Sequence, residues 1–254
     1  MYVKSELPIV FTSYVNGSCG TFITAITERL VCPTRRRPIR GNFWNNAHGS
    51  INTNTESSHD IGYFRSAKDY FNTLKVHSPY DPIFHPTHFY DPYSVLMRWP
   101  TAKIFVITHT KDDVEEIAIN SLFKFALHDV VGFNDETFQS KINKFFTEKE
   151  NLLTAGYFNF QHYGPKEVKT CLEFREISVL HGGYWRVGVP EDLNHCVKEI
   201  PYSKIKDRDW TLKTISEFLG YPVTTYLEKE YDSYMERQRF LFDSVRNYLE
   251  KGNV

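Results

Sequence analysis

The sequence predicts an α/β fold, with a central parallel sheet covered on both faces by helices. Two observations lead there. "AKIFVIT" (102–108) is a continuous apolar run rich in β-branched residues, the pattern of a strand buried on both sides. "LPIVFTSYV" (7–15) has similar β-branched and aromatic content. Each run leads at once into a segment with helical spacing. Parallel neighbours need a crossover between them, so strands alternating with helices are the mark of a parallel sheet. The chain has 254 residues, of which 41% are apolar, which suits one sizeable domain spanning 1–254.

The elements follow in order. After the first strand, Phe22, Ile23, Ile26 and Leu30 recur at helical spacing, and Pro33 stops that helix. The stretch 33–60 is polar, rich in Asn and Ser, and without periodicity. A loop of that length reads as a lid or binding loop whose arginines meet an anion, or as a solvated loop. "FRSAKDYFNTL" (64–74) reads as a helix, and "KVHSPYDP" as a short segment closed by turn signals. Behind the second strand, Thr110 is an N-cap with Asp113 three residues on. Val114, Ile117, Ala118, Leu122 and Phe125 form the stripe of the helix that it starts. Helical patterns cover roughly 136–153 and 166–181. "CVKEIPYSKI" (196–205) reads as a late strand. "DWTLKTISEFLGYP" (209–222) reads as a helix capped by Asp209, with Leu212, Ile215, Phe218 and Leu219 facing the core and Gly220 ending it. The last 25 or so residues form an amphipathic helix of mixed charge.

Bulk properties exclude several classes. A net charge of −1 disfavours a nucleic-acid binder. Cysteines at 19, 32, 171 and 196 make no C-x-x-C pair, so neither a zinc ribbon nor a secreted disulfide framework is indicated. No window approaches the ~20 apolar residues of a membrane span, and no stretch near the start has signal-peptide character. A soluble, cytoplasmic protein is the expectation. The sequence leaves the oligomeric state open.

The segment that carries chemistry is "NGSCGTFITAI" (16–26), between the first strand and its helix. A glycine-bearing turn there aims backbone N–H groups and the positive end of the helix dipole at one point, which favours phosphate or sulfate. Gly17 and Gly20 permit close approach, and Ser18 and Thr21 add hydroxyls. The ATP-type pattern G-x-x-x-x-G-K-[ST] is not met, since the glycines are too close and no lysine follows.

Four segments together resemble the sulfotransferase family. "SCGTF" resembles its 5′-phosphosulfate loop, K-S-G-T-T, with Ser18, Cys19, Gly20 and Thr21 at the first four positions. "LKVHSP" (74–79) is similar to its K-T-H-L-P segment. "AKIFVITHTKDDVEEIAINSLFKF" resembles its 3′-phosphate strand and helix. "IPYSKIKDRDWTLKTISEFLGYP" resembles its late strand and helix. The pieces stand in the family's order and span about half the chain, whereas 33–60 and 129–195 match nothing in it.

The resemblance implies a three-layer P-loop-like fold and 3′-phosphoadenosine 5′-phosphosulfate (PAPS) as sulfuryl donor. The acceptor would be a small molecule, glycan or peptide. It implies donor contacts from Gly17 to Phe22, from Thr108, from Asn120 or Ser121, and from Tyr202 beside the adenine. It makes His77 the general base and Lys75 its charge partner. Side chains two apart on an extended segment share a face, so both reach one site; otherwise His77 is a turn or core histidine before Pro79. His85 and His88 add imidazoles nearby, and with His77 would make a zinc site only as a minor option. Two departures stand out. Ser18 replaces the loop lysine, and Thr108, followed by His109, replaces the arginine of the 3′-phosphate site. They leave an alternative: a nucleotide- or anion-binding protein that keeps the fold without catalysis.

Overall fold

A computed structural model of the chain describes residues 9–15, 17–33, 83–87, 92–126, 189 and 191–250. The four strands among them are β1 (Ile9–Ser13), β2 (Ile83–Thr87), β3 (Lys103–Thr108) and β4 (Val197–Pro201). They make one sheet in the order β2-β1-β3-β4, and every neighbouring pair is parallel. The expected adjacency of the first two apolar runs is realised, with Phe11 opposite Ile104 and Thr12 opposite Phe105. The helices are α1 (Gly20–Val31), α2 (Pro92–Arg98), α3 (Val114–Ala126), α4 (Arg208–Leu219) and α5 (Thr225–Glu250).

Alternation along the strands sorts the core into two clusters. Val10, Phe84, Phe105, Ile107 and Ile200 project to one face. There they pack with Phe22, Ile23 and Ile26 of α1, Ile117 of α3, Leu212 and Ile215 of α4, and Leu227 and Tyr231 of α5. Phe11, Ile104, Val106 and Val197 project to the other face, against Val95 of α2, Ala102, Leu193 and Cys196. Both faces of the sheet are therefore covered, and the architecture is α/β. An ion pair from Arg29 to Glu230, 2.6 Å long, ties α1 to α5. No helix among the described residues is long and apolar enough to cross a membrane.

Several local expectations are corrected. "IFHPT" forms β2 although it lacks strand alternation. It lies at the edge of the described sheet, where Pro86 is tolerated because one side of the strand needs no ladder partner. The late strand stops at Pro201, opposite Thr108, and Tyr202–Lys206 form a 3₁₀ turn instead of extending it. Proline has no N–H with which to continue. That turn leaves Asp207 with the extended backbone an N-cap requires, so Asp207 and not Asp209 accepts the N–H of Trp210, at 3.1 Å. Asp209 already lies in the first turn and pairs with Arg208. Thr110 and Asp113 form the capping pair as read, but they cap a 3₁₀ turn, Lys111–Asp113, that leads into α3: one carboxylate oxygen of Asp113 accepts from both the N–H and the hydroxyl of Thr110, at 2.7 and 2.9 Å. Gly220 closes α4 in the left-handed region (φ 77°), and the N–H groups of Gly220 and Tyr221 both return to the Ser216 carbonyl. The helices expected over 64–74, 136–153 and 166–181, and the loop from residue 34 to 60, lie outside the described residues.

Candidate functional site

The sheet order defines a place to look. The chain runs from β1 to β2 on one side of β1, and from β3 to β4 on the far side of β3. β1 and β3 are neighbours whose onward connections diverge. The crevice past their carboxyl ends is a topological switch point, where open parallel sheets bind ligands. The loop 14–19 leaves β1 there, α3 rises beyond β3, and the 3₁₀ turn follows β4.

The loop is tightly built. Gly17 (φ 96°) and Cys19 (φ 64°) both sit at positive φ, and Cys19 is the N-cap residue of α1. A left-handed cysteine is strained relative to glycine. Ser18 is fully buried and faces inward: its N–H and its hydroxyl both donate to the Val15 carbonyl, at 3.1 and 2.7 Å. Gly20 is needed for packing, because a Cβ there would lie 1.9 Å from the ring of Tyr14. The Tyr14 hydroxyl reaches over that glycine to the Thr21 hydroxyl at 2.9 Å. Phe22 stacks on Tyr234 with ring centroids 3.6 Å apart and meets Tyr231 edge-on. The hydroxyls of Ser18 and Thr21 and the ring of Phe22 are thus engaged within the protein. What the loop retains for a ligand is backbone: the N–H groups of the first helical turn have no acceptor inside the helix.

A second set of residues converges on the same loop. Asn120, buried on α3, donates from Nδ2 to the Gly17 carbonyl at 3.0 Å and to the Tyr202 hydroxyl at 3.1 Å, and lies 3.9 Å from Cys19 Sγ. Tyr202 in turn donates to Glu116 Oε1 at 3.3 Å, and Lys206 pairs with Glu116 Oε2 at 2.5 Å. One chain of contacts therefore joins the loop after β1, the helix after β3 and the turn after β4. Burial pushes the Cys19 thiol up to about 12, with the Glu116 charge adding to the effect against the opposing Tyr234 hydrogen bond and Lys206. Cys19 is a neutral thiol at pH 7 and not a nucleophile. Burial likewise holds the Tyr202 phenol well above its ordinary range, reinforced by the neighbouring acidic groups, chief among them the Glu116 carboxylate that it meets. It is a neutral donor.

Beyond Cys19 the crevice opens into a cleft of about 190 Å³. Glu116, Tyr202 and Lys206 border it on one side, and Met235, Gln238 and Phe242 of α5 on the other.

Among the sequence-derived candidates, Gly17, Cys19, Asn120 and Tyr202 are brought into direct contact. Ser18, Gly20, Thr21 and Phe22 are adjacent but turned into the fold. Thr108 ends β3 beside Pro201, and Ser121 follows Asn120 on α3. His77, Lys75 and His88 lie outside the described residues, and His85 is on β2. Sequence reading missed Glu116, Lys206 and Gln238. Glu116 and Lys206 look like ordinary helix and turn charges. Gln238 did leave a signal, since it falls on the helical stripe Leu227, Tyr231, Tyr234, Phe242, where a polar residue is out of place.

No family model, no curated protein and no solved structure matches the chain.

Proposed function

We propose that this protein binds 3′-phosphoadenosine 5′-phosphosulfate at the switch point and transfers its sulfuryl group to an acceptor hydroxyl or amine, in the manner of the sulfotransferases that its motifs resemble. The observation that carries the reading is the Asn120 amide. Cys19, Tyr202 and Asn120, one of the two candidates on its helix, belong to three separate segments of the resemblance, and they meet at one carboxamide where a parallel sheet takes ligands. The P-loop-like version of the α/β fold belongs to this reading too.

In this scheme the first-turn N–H groups of α1 hold the 5′-phosphosulfate. His77 removes the acceptor proton as the new S–O bond forms to a hydroxyl, or the new S–N bond to an amine, and Lys75 stabilises charge on the departing phosphate as the old S–O bond breaks. The products are the sulfated acceptor and adenosine 3′,5′-bisphosphate. Calorimetry with adenosine 3′,5′-bisphosphate, set against ADP, tests the donor site, and transfer of labelled sulfate from the donor tests the reaction. His77→Ala should lower turnover roughly 10²- to 10⁴-fold with donor affinity little changed.

One observation favours a second reading, a non-catalytic anion- or nucleotide-binding protein. Ser18 stands where the family's lysine would be, and its side chain is buried on the Val15 carbonyl, so this position supplies no cation to a sulfuryl group. Binding of the bisphosphate with no sulfate transfer would select that reading. Absence of binding would end both.

A further inference from the structure

The cleft beside Cys19 holds an unsatisfied group. Gln238 is 2% exposed, and neither its amide nitrogen nor its amide oxygen has a hydrogen-bond partner. The Oδ1 atom of Asn120, which touches Cys19 and Tyr202 but does not line the cleft, is also without one. Buried carboxamides are normally paired, because an unpaired one forfeits its hydration with nothing in return. Gln238 lines the cleft, and its amide carries a donor and an acceptor side by side for whatever enters.

The rest of the lining narrows the occupant. Glu116 and Asp243 are matched in number by Lys206 and Arg239, so the cleft carries no net charge with which to attract phosphate. Ile205, Met235 and Phe242 supply apolar walls, and Tyr202 supplies an aromatic one. Neutral charge, apolar walls and one donor–acceptor pair suit a planar heterocycle with an amino group next to a ring nitrogen. Glutamine pairs with adenine in this bidentate way. The cleft meets the phosphate-type loop at Cys19, which borders both. An anionic portion of a ligand would therefore lie over the start of α1 and its base in the cleft.

We infer that this cleft is a base-recognition subsite, and that Gln238 is the specificity residue that reads the adenine edge. This rests on the nucleotide-binding reading above and assigns to α5 a role that none of the resembling motifs covers.

The test is calorimetry on the full chain with adenosine 3′,5′-bisphosphate and with its purine analogue lacking the 6-amino group. Wild type should prefer the amino compound by about tenfold. Gln238→Leu should weaken adenine-nucleotide binding roughly 5- to 150-fold, the worth of one bidentate base contact, and should erase the preference between the two compounds. Gln238→Met serves as a second variant that keeps side-chain length, with the same expectation; thermal melts confirm that both fold. If the variants bind the nucleotide as tightly as wild type, the inference falls and the nucleotide site stands. If wild type binds neither compound, the nucleotide reading itself fails and takes the inference with it.

Discussion

The loop from Tyr14 to Phe22 and the cleft just beyond it share Cys19, yet they are opposites in how their polar groups are used. In the loop, the side chains point into the fold and find partners there: Ser18 with Val15, Tyr14 with Thr21, Thr24 with the Gly20 carbonyl. In the cleft, Gln238 has none, and Asn120, at the junction of the two, keeps one atom unmatched. Satisfied groups report how the chain holds its shape. Orphaned ones report where something else is expected. By that measure, the residues that drew attention in the sequence, Ser18 and Thr21, serve the loop's architecture, and a glutamine that drew none is the better marker of a ligand.

If the loop is structural in this sense, the largest effect should come from Gly20→Ala. The added methyl would sit 1.9 Å from the Tyr14 ring, which is itself fully buried, so backbone or ring must move. A loss of about 3 kcal/mol is expected, the upper part of the range for overpacking. Denaturant midpoints measure it. Tyr14→Ala should relieve the clash, so the double variant should lose less than the sum of the two single changes. Strict additivity would mean that the ring and the glycine do not compete for this space.

Next in size is Asn120→Leu, which acts at the junction of the two regions. It removes the donor from the Gly17 carbonyl and from Tyr202 without creating a cavity. Leaving buried acceptors unpaired should cost about 1–3 kcal/mol. A change near zero would show that water replaces the amide, and the two regions would then be less coupled than the contacts indicate.

Much of the loop side of this comparison was legible in the sequence, and the cleft side was not. β1 and β3 show as apolar, β-branched runs and α1 and α3 as helical spacing, because burial on the sheet dictates their apolar pattern. β2 escaped because five residues containing His85 and Pro86 carry no alternation; their neighbour β1, not their own composition, makes them a strand. Asp207 and Asp209 are equivalent as sequence signals, and only the 3₁₀ turn before them decides which one caps. The convergence of Asn120 on Gly17 and Tyr202 joins residues 103 and 82 positions apart, which local pattern cannot reveal. Gln238 stands out only as a polar residue on the apolar stripe of α5, a signal that gives its burial but not what it faces.

Cys19, the shared residue, gives a pH-dependent test. An ordinary thiol titrates near 9.0, whereas burial raises that of Cys19 to about 12 in the folded chain. Above pH 9 the unfolded chain therefore loses this proton first, and stability falls with rising pH. The slope is at most about 1.4 kcal/mol per pH unit. Below pH 9 the group has no effect. The buried phenols of Tyr202 and Tyr234 are raised from 10.0 in the same way and add their own loss from that pH upward. Urea midpoints taken from pH 8 to 10.5 should show wild type weakening from about pH 9. Cys19→Ala should weaken less steeply than wild type between pH 9 and 10, where the Cys196 thiol, also raised by burial, still contributes, and the tyrosines join near pH 10. Identical profiles would place the thiol in contact with bulk water.

The smallest expected effect has the opposite sign and sharpens the contrast most. Gln238→Leu replaces an unpaired buried amide with an apolar group of nearly the same size, on a helix face already occupied by Tyr234, Met235 and Phe242. Nothing that was hydrogen-bonded is lost, and the desolvation cost of the amide disappears. The ligand-free protein should gain up to about 1 kcal/mol. Asn120→Leu, the same type of exchange at an amide whose nitrogen donates to the Gly17 carbonyl and the Tyr202 hydroxyl, should lose stability. Two buried amides, changed alike and moving stability in opposite directions, would separate the group that builds the site from the group that waits for a ligand. A loss on Gln238→Leu comparable to that of Asn120→Leu would mean that the Gln238 amide is satisfied in solution, and its claim to a ligand would fail on stability alone, before any nucleotide is added.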